Sequence, residues 1–246
     1  MKIKHYLDYY LALKSVRLIG QRIGPQHWSF LRAVLVTAGC GVAARAFYTV
    51  YFPLTDARIG GPGDFGPYAA IDWIGVHWFL QTGEIPRWNP LIRYGVPYIG
   101  DAYISFFNVF ASIPFGLYGP IAGAKIAVVV AVALAGIGQY VLARTLGQHW
   151  VTAAFSSGLA IAAGSLHVPV GTGFAFGATL QHGWIAFTLA SALRLVRSPS
   201  PQNIVSYALS SAFLFHSGNM YYWLGSEFIV GLIHLQFLIR HRRHIL

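Results

Sequence analysis

Apolar residues dominate long stretches of this chain and are interrupted by short polar segments. The stretches over 28–52 and about 121–143, 150–167, 177–196, 203–220 and 221–239 each approach the roughly 20 residues a helix needs to cross a bilayer. This pattern predicts an all-α fold: a polytopic transmembrane helical bundle of about six spans. The region 103–118 is also apolar but short, and it contains Pro114 and Gly116. That length suits a re-entrant or surface segment better than a span. Ahead of the first span, Ile3, Leu7 and Leu11 recur beside Tyr6, Tyr10 and Leu13. The spacing is helical and one-sided. With Lys2, Lys4, Lys14, Arg17 and Arg22 it predicts that 1–27 is a basic amphipathic segment on the cytoplasmic membrane surface.

The expected organisation is therefore 1–27 as that surface segment and 28–52 as the first transmembrane helix. An outer loop with surface or re-entrant helices follows over 53–120, then five further spans over 121–246. The first apolar run starts near Trp28 after a long polar lead, so it reads as a retained anchor rather than a cleaved signal.

Composition agrees with a membrane setting. The chain is 56% hydrophobic and only 10% charged, against about 25% charged in an ordinary soluble domain. Lys and Arg number 17 and Asp and Glu 7, a formal charge of +10. The basic residues are dispersed, which argues against nucleic acid as a partner. They instead mark span ends: Arg144, then Arg194 and Arg197, then Arg240, Arg242 and Arg243. With a cytoplasmic N-terminus and six spans, every one of these clusters falls on the cytoplasmic side. If 103–118 were a full span, the later clusters would all flip. The lone cysteine, Cys40, can form no intrachain disulfide.

Candidate chemistry gathers in the 53–102 region. Five of the 7 acidic residues are there: Asp56, Asp64, Asp72, Glu84 and Asp101. Arg58, Arg87 and Arg93 accompany them, among dense Gly, Pro and aromatic residues. The run from Tyr68 to Leu80 predicts a short helix with Ile71, Ile74 and Trp78 on one face. Carboxylates beside a bilayer can take a proton from an attacking hydroxyl or hold a divalent metal against a diphosphate. Arginine forks match phosphate oxygens. No phosphate loop, nucleophile elbow or His-Glu-x-x-His motif is present. Gly60-Gly61-Pro62-Gly63 does not follow a strand and reads as loop punctuation.

The segment Gly83-Glu84-Ile85-Pro86-Arg87-Trp88-Asn89-Pro90, followed by Gly95 and Pro97, resembles the first outer loop of the GT-C superfamily of polytopic glycosyltransferases, and most closely its YfhO-type branch. The run from Gly138 to Trp150 is similar to that family's span ending in a Leu-Ala-Arg turn. The resemblance implies a polyprenyl-phosphate-linked sugar donor, inversion at the sugar carbon and a catalytic carboxylate in the first outer loop. Asp64 matches that carboxylate best and Asp56 second. Arg58, Arg87, Trp88, Asn89, Arg93, Asp101 and His182 are the expected substrate-binding residues. A divalent metal is a possible cofactor. The family has more spans than six, so the resemblance would make this chain its N-terminal part.

The expected partners are the lipid bilayer, the lipid-linked donor and, for a subunit or scaffold, another membrane protein. The expected location is the inner or plasma membrane. Two other functions fit the pattern: transport or flipping of a lipid-linked or anionic solute, in which Arg45 and Glu227 would matter more, and a non-catalytic membrane subunit or scaffold. Gln181, His167 and His182 stand around the second outer loop, and Tyr221, Tyr222 and Trp223 suit a membrane-interface belt.

Overall fold

The computed structural model describes residues 25–51, 65–89, 95–98, 104–167, 176–218 and 220–241. Residues 1–24 of the surface segment expected over 1–27, and Asp56, Arg58, Asp64, Arg93 and Asp101, lie outside the described residues, while 25–27 open the first helix. The chain divides into two compact units, Met1–Gly39 and Cys40–Leu246. In the first, residues 25–39 are the start of a helix that carries Arg32.

The described chain is mostly helical. Its elements are α1 (Pro25–Tyr51), α2 (Phe65–Thr82), β1 (Trp88–Asn89), β2 (Val96–Pro97), α3 (Val109–Thr145), α4 (Trp150–His167), α5 (Phe176–Arg197), α6 (Pro201–Phe215) and α7 (Met220–His241). The strands are a minimal antiparallel pair, Trp88 opposite Pro97 and Asn89 opposite Val96.

Helix α3 is broken once. Gly119 has φ 75° and ψ −173°, between Pro114 and Pro120. A Cβ on Gly123 would meet Pro114 O at 2.7 Å and Phe115 Cα at 2.8 Å. In a continuous helix those positions would be about two turns apart, so the two halves of α3 fold against each other at the break. Asn108 caps the start, its Oδ1 accepting from the Phe110 amide at 3.1 Å.

Small residues let α3 approach its neighbours. A Cβ on Gly183 of α5 would meet Ala131 O at 2.9 Å, and one on Gly138 would meet the Phe187 ring at 2.9 Å. At Gly136 it would meet Ile161 of α4 at 2.7 Å and the Cys40 sulfur of α1 at 3.1 Å. Close approach through small residues is how apolar helices gain dispersion contacts where lipid removes the hydrophobic drive. The remaining polar groups here are paired. The Ser157 hydroxyl donates to Gly136 O at 2.7 Å, which leaves the Cys40 thiol to donate to Ser157 Oγ at 3.0 Å.

Among the described residues two helices are long and apolar enough to cross a membrane by length and composition: α3, and α7 over Met220–Ile239. About six were expected. The shortfall has a residue-level reason. Helix α1 carries Arg32 and Arg45 among Gly, Ala and Thr. The apolar stretch of α4, Trp150–Ala163, is short. Helix α5 includes Gln181, His182, Arg194 and Arg197, and α6 has 15 residues.

Helix α2 buries a different face from the one expected. Ile71 is buried, Ile74 is half-buried and Trp78 is exposed. The buried stripe is Ile71, Asp72, Gly75 and Val76, because the chain after α2 folds back over it. Tyr98 and Ile104 join Ile71 in one cluster flanked by Phe106.

Gly75 is the contact that admits Tyr98: a Cβ there would fall 1.7 Å from Tyr98 Oη. Gly75→Ala is expected to cost about 1–3 kcal/mol through overpacking. Gly158→Ala, where nothing lies within 4 Å, is expected to be neutral or to gain up to about 1 kcal/mol from helix propensity. Thermal unfolding of both variants in the same detergent checks the pair; equal midpoints would contradict the role given to Gly75.

Candidate functional site

The helices α3 to α7 alternate in direction through short connections, which sorts their termini into two ends. One end holds residues 104–108, the start of α5 and the turn 216–218 between α6 and α7. The other holds the turns 145–149 and 198–200.

At the first end a chain of buried polar contacts ties α2 to the segment before α3 and to the α6–α7 turn. Asp72 is 1% exposed. Its Oδ1 accepts from the Ser105 amide at 2.8 Å, and its Oδ2 accepts from the Ser105 hydroxyl. Three residues on, Asn108 donates through Nδ2 to Ser217 Oγ at 2.9 Å. The Ser217 hydroxyl donates to Phe213 O. Asp72 thus ties α2 to the start of α3, and Asn108 ties that start to the α6–α7 turn. Phe107 packs on His216 at 5.0 Å between centroids, and Phe110 on Trp184 at 5.2 Å. Burial lowers the His216 pKa below its ordinary 6.5.

The motif itself folds as a lock. Gly83, at φ 72°, ends α2, its amide donating to Phe79 O at 2.8 Å. The Thr82 hydroxyl donates to Trp78 O at 2.9 Å and accepts from the Glu84 amide at 3.1 Å. Pro86 and Asn89 are buried. Arg87 O accepts from the Tyr98 amide at 2.9 Å. Trp88 lies over Gly95, whose φ is 108° and where a Cβ would meet the indole Nε1 at 2.4 Å. Only glycine suits that backbone and that ring. Gly83, Trp88, Gly95 and Pro97 therefore have structural roles that account for their spacing.

Of the residues expected to bind substrate, β1 and its approach bring Arg87, Trp88 and Asn89 together. Arg87 and Trp88 are exposed and Asn89 is buried. His182 is half-buried on α5 and its ring lies 5.3 Å from that of Tyr222 on α7. Neighbouring Gln181 is buried and donates through Nε2 to Leu214 O at 3.0 Å. Of the five loop carboxylates, Asp72 is an internal anchor and Glu84 is exposed. Among the described residues no group of three or more His, Cys, Asp or Glu side chains could hold a metal ion.

Sequence reasoning missed three features. Lys125 is 3% exposed, six residues past the α3 break at Gly119; a lysine inside an apolar run was the available signal. The partners of Glu227 were also missed. Its Oε2 accepts from the Tyr207 hydroxyl and its Oε1 from the Ser211 hydroxyl at 2.7 Å, while Trp223 Nε1 donates to Ser211 Oγ at 3.1 Å. This joins α6 to α7 and gives a half-buried carboxylate the donors it needs. Third, the basic residues of the opposite end converge on Thr145. Arg194 Nε donates to its Oγ1 at 3.1 Å and Arg197 to its carbonyl, while Arg144 donates to Gln148 O at 2.6 Å.

No family model, no curated protein and no solved structure matches the chain.

Two outcomes are expected at this end. Asp72→Ala strands the Ser105 amide and hydroxyl in a buried site, at a cost of about 1–3 kcal/mol; an unchanged midpoint would contradict the anchor. For His216 the folded pKa is lower than the unfolded one. The unfolded chain therefore takes up its proton first as pH falls below 6.5, and stability is lost in that range. His216→Gln is expected to flatten that part of the stability–pH curve, read by thermal midpoints from pH 7.5 to 5; parallel curves would contradict it.

Proposed function

We propose that the chain is a polytopic membrane protein and a GT-C-like glycosyltransferase, or the catalytic N-terminal part of one. It would use a polyprenyl-phosphate sugar on the outer face. The observation that carries the membrane part is the exposure of α7. Only 11% of its most apolar stretch is buried. Tyr221, Phe228 and Ile239 are among its exposed side chains, and Ile204, Val205 and Leu209 on α6 are exposed beside them. A soluble core helix would be mostly buried; a helix with an apolar, uncovered surface fits a lipid solvent. The same reading takes the remaining helices as spans within the bundle, with Ser157, Thr188, Ser191 and Ser210 paired internally. The arginine end would then be cytoplasmic and the end with residues 65–108 outer.

What supports the transferase part is the motif segment, held by the Tyr98 amide on Arg87 O and by the Trp88–Gly95 contact. A rigid support is what a positioned catalytic loop needs. In the proposed reaction the acceptor hydroxyl attacks the sugar carbon and its proton passes to Asp64. The bond from that carbon to the phosphate oxygen breaks, and polyprenyl phosphate leaves. Arg87, with Arg58 or Arg93, would meet the charge growing on that phosphate. Asp56 is the alternative base.

Asp64→Asn is expected to abolish transfer from a polyprenyl-phosphate sugar, a loss of at least about 10²-fold, with the thermal midpoint unchanged. Full activity of that variant would sink the assignment of Asp64. Absence of transfer by the wild type across lipid-phosphate sugars would sink the enzyme.

A second reading, a non-catalytic membrane subunit, is favoured by the same uncovered face of α7. A stoichiometric membrane protein retained through gentle extraction would support it. The transport reading loses ground, because Tyr207 and Ser211 account for Glu227 as a helix clamp.

A further inference from the structure

We propose that Arg144, Arg194 and Arg197 form a binding site for the phosphate headgroup of an anionic phospholipid. The inference rests on the membrane reading above and not on the glycosyltransferase reading.

The three side chains come from two helix ends, and two of them meet on one residue. Arg194 and Arg197 close α5, and both bond Thr145, the last residue of α3. Arg144 turns onto the next connection at Gln148 O. The following turn is held from within: the Asn203 amide donates to Ser198 O at 2.7 Å, and Ser200 caps α6 through the Asn203 backbone amide at 3.3 Å. The arginines are therefore placed by built structure on both sides.

All three are exposed. Among the described residues no carboxylate pairs with any of them. Each guanidinium has five N–H donors, and the bonds named leave several on each for an outside acceptor. Arg194 and Arg197, which share Thr145, are like charges held near each other, and an anion beside them relieves their repulsion. The planar forks match phosphate oxygens in pairs.

Orientation alone does not need this arrangement. A cytoplasmic excess of positive charge is satisfied by dispersed arginines, and carbonyl ends of helices are satisfied one at a time. Convergence on Thr145 from a second helix is an added feature. A lipid is favoured over a free phosphate by what lies next to the arginines. Beyond Gln148, α4 exposes Val151, Phe155 and Leu159 at spacings of four, a single apolar stripe leading away from the charged end. Acyl chains would lie along that stripe. Basic pockets between spans at the cytoplasmic surface commonly take such headgroups.

The test uses the full chain in detergent, titrated with short-chain phosphatidylglycerol or phosphatidylcholine, and reads lipid adducts by native mass spectrometry. The expected result is a preference for phosphatidylglycerol that falls about fivefold for each of Arg194→Gln and Arg197→Gln. Inorganic phosphate at equal concentration should not displace it. Equal adducts of the two lipids on the wild type would overturn the proposal, as would full retention by the double variant or full displacement by inorganic phosphate. If the double variant does not fold, the wild type still decides: its preference should vanish in high salt. Resistance of the chain to alkaline extraction from membranes reports on the membrane reading separately.

Discussion

The carboxylate of Asp72, taken out of water inside a largely apolar chain, has to be given donors, and the Ser105 amide and hydroxyl supply them. Much follows from this demand. An unpartnered buried charge costs several kcal/mol, so the segment after α2 must return to α2. That return brings Tyr98 over Gly75, closes β1 against β2 and delivers Asn108 to the start of α3. Asn108 in turn engages Ser217, so the α6–α7 turn is held by the same chain of contacts.

The rest of the bundle obeys the same rule with weaker groups. Cys40, Ser157 and Gly136 form one buried set, Ser191 and Ser210 another, and Glu227 with Tyr207 and Ser211 a third. The first joins three helices and each of the others joins two, and the remaining contacts of these helices are apolar or glycine-mediated. In a lipid-like environment such pairings contribute modestly, about 0.6 kcal/mol on average and up to about 2. Their value lies in fixing which faces meet. The two ends of the bundle then acquire opposite character: buried carboxylate, amides and aromatic rings at one, exposed arginines at the other.

The helical class was legible because apolar runs of this length leave few other folds, and the region just before the α3 break was marked by Pro114 and Gly116. The face of α2 was not. Its spacing pointed to Ile71, Ile74 and Trp78, but Ser105 covers Asp72, Tyr98 covers Gly75 and α3 reaches Val76 at Gly116, and no local pattern encodes which side a later segment will cover. The family-like motif was visible as spacing, yet its physical content was hidden. Trp88 and Gly95 are a ring laid on a backbone with positive φ, and Gly83 is a helix stop. Asp72 looked like one of five equivalent loop carboxylates, whereas only its burial separates it from Glu84. Lys125 was passed over because one charge in an apolar run alters hydropathy little.

The account stands on the two ends of the bundle facing opposite sides of a membrane. Labelling by a membrane-impermeant maleimide tests this most directly, with Cys40 replaced by Ser and single cysteines placed at Met220 and at Gln148. The account predicts that the cysteine at 220 reacts in intact cells, and that the one at 148 reacts only after permeabilisation. Reaction of both from the same side, or of neither before permeabilisation, would contradict it.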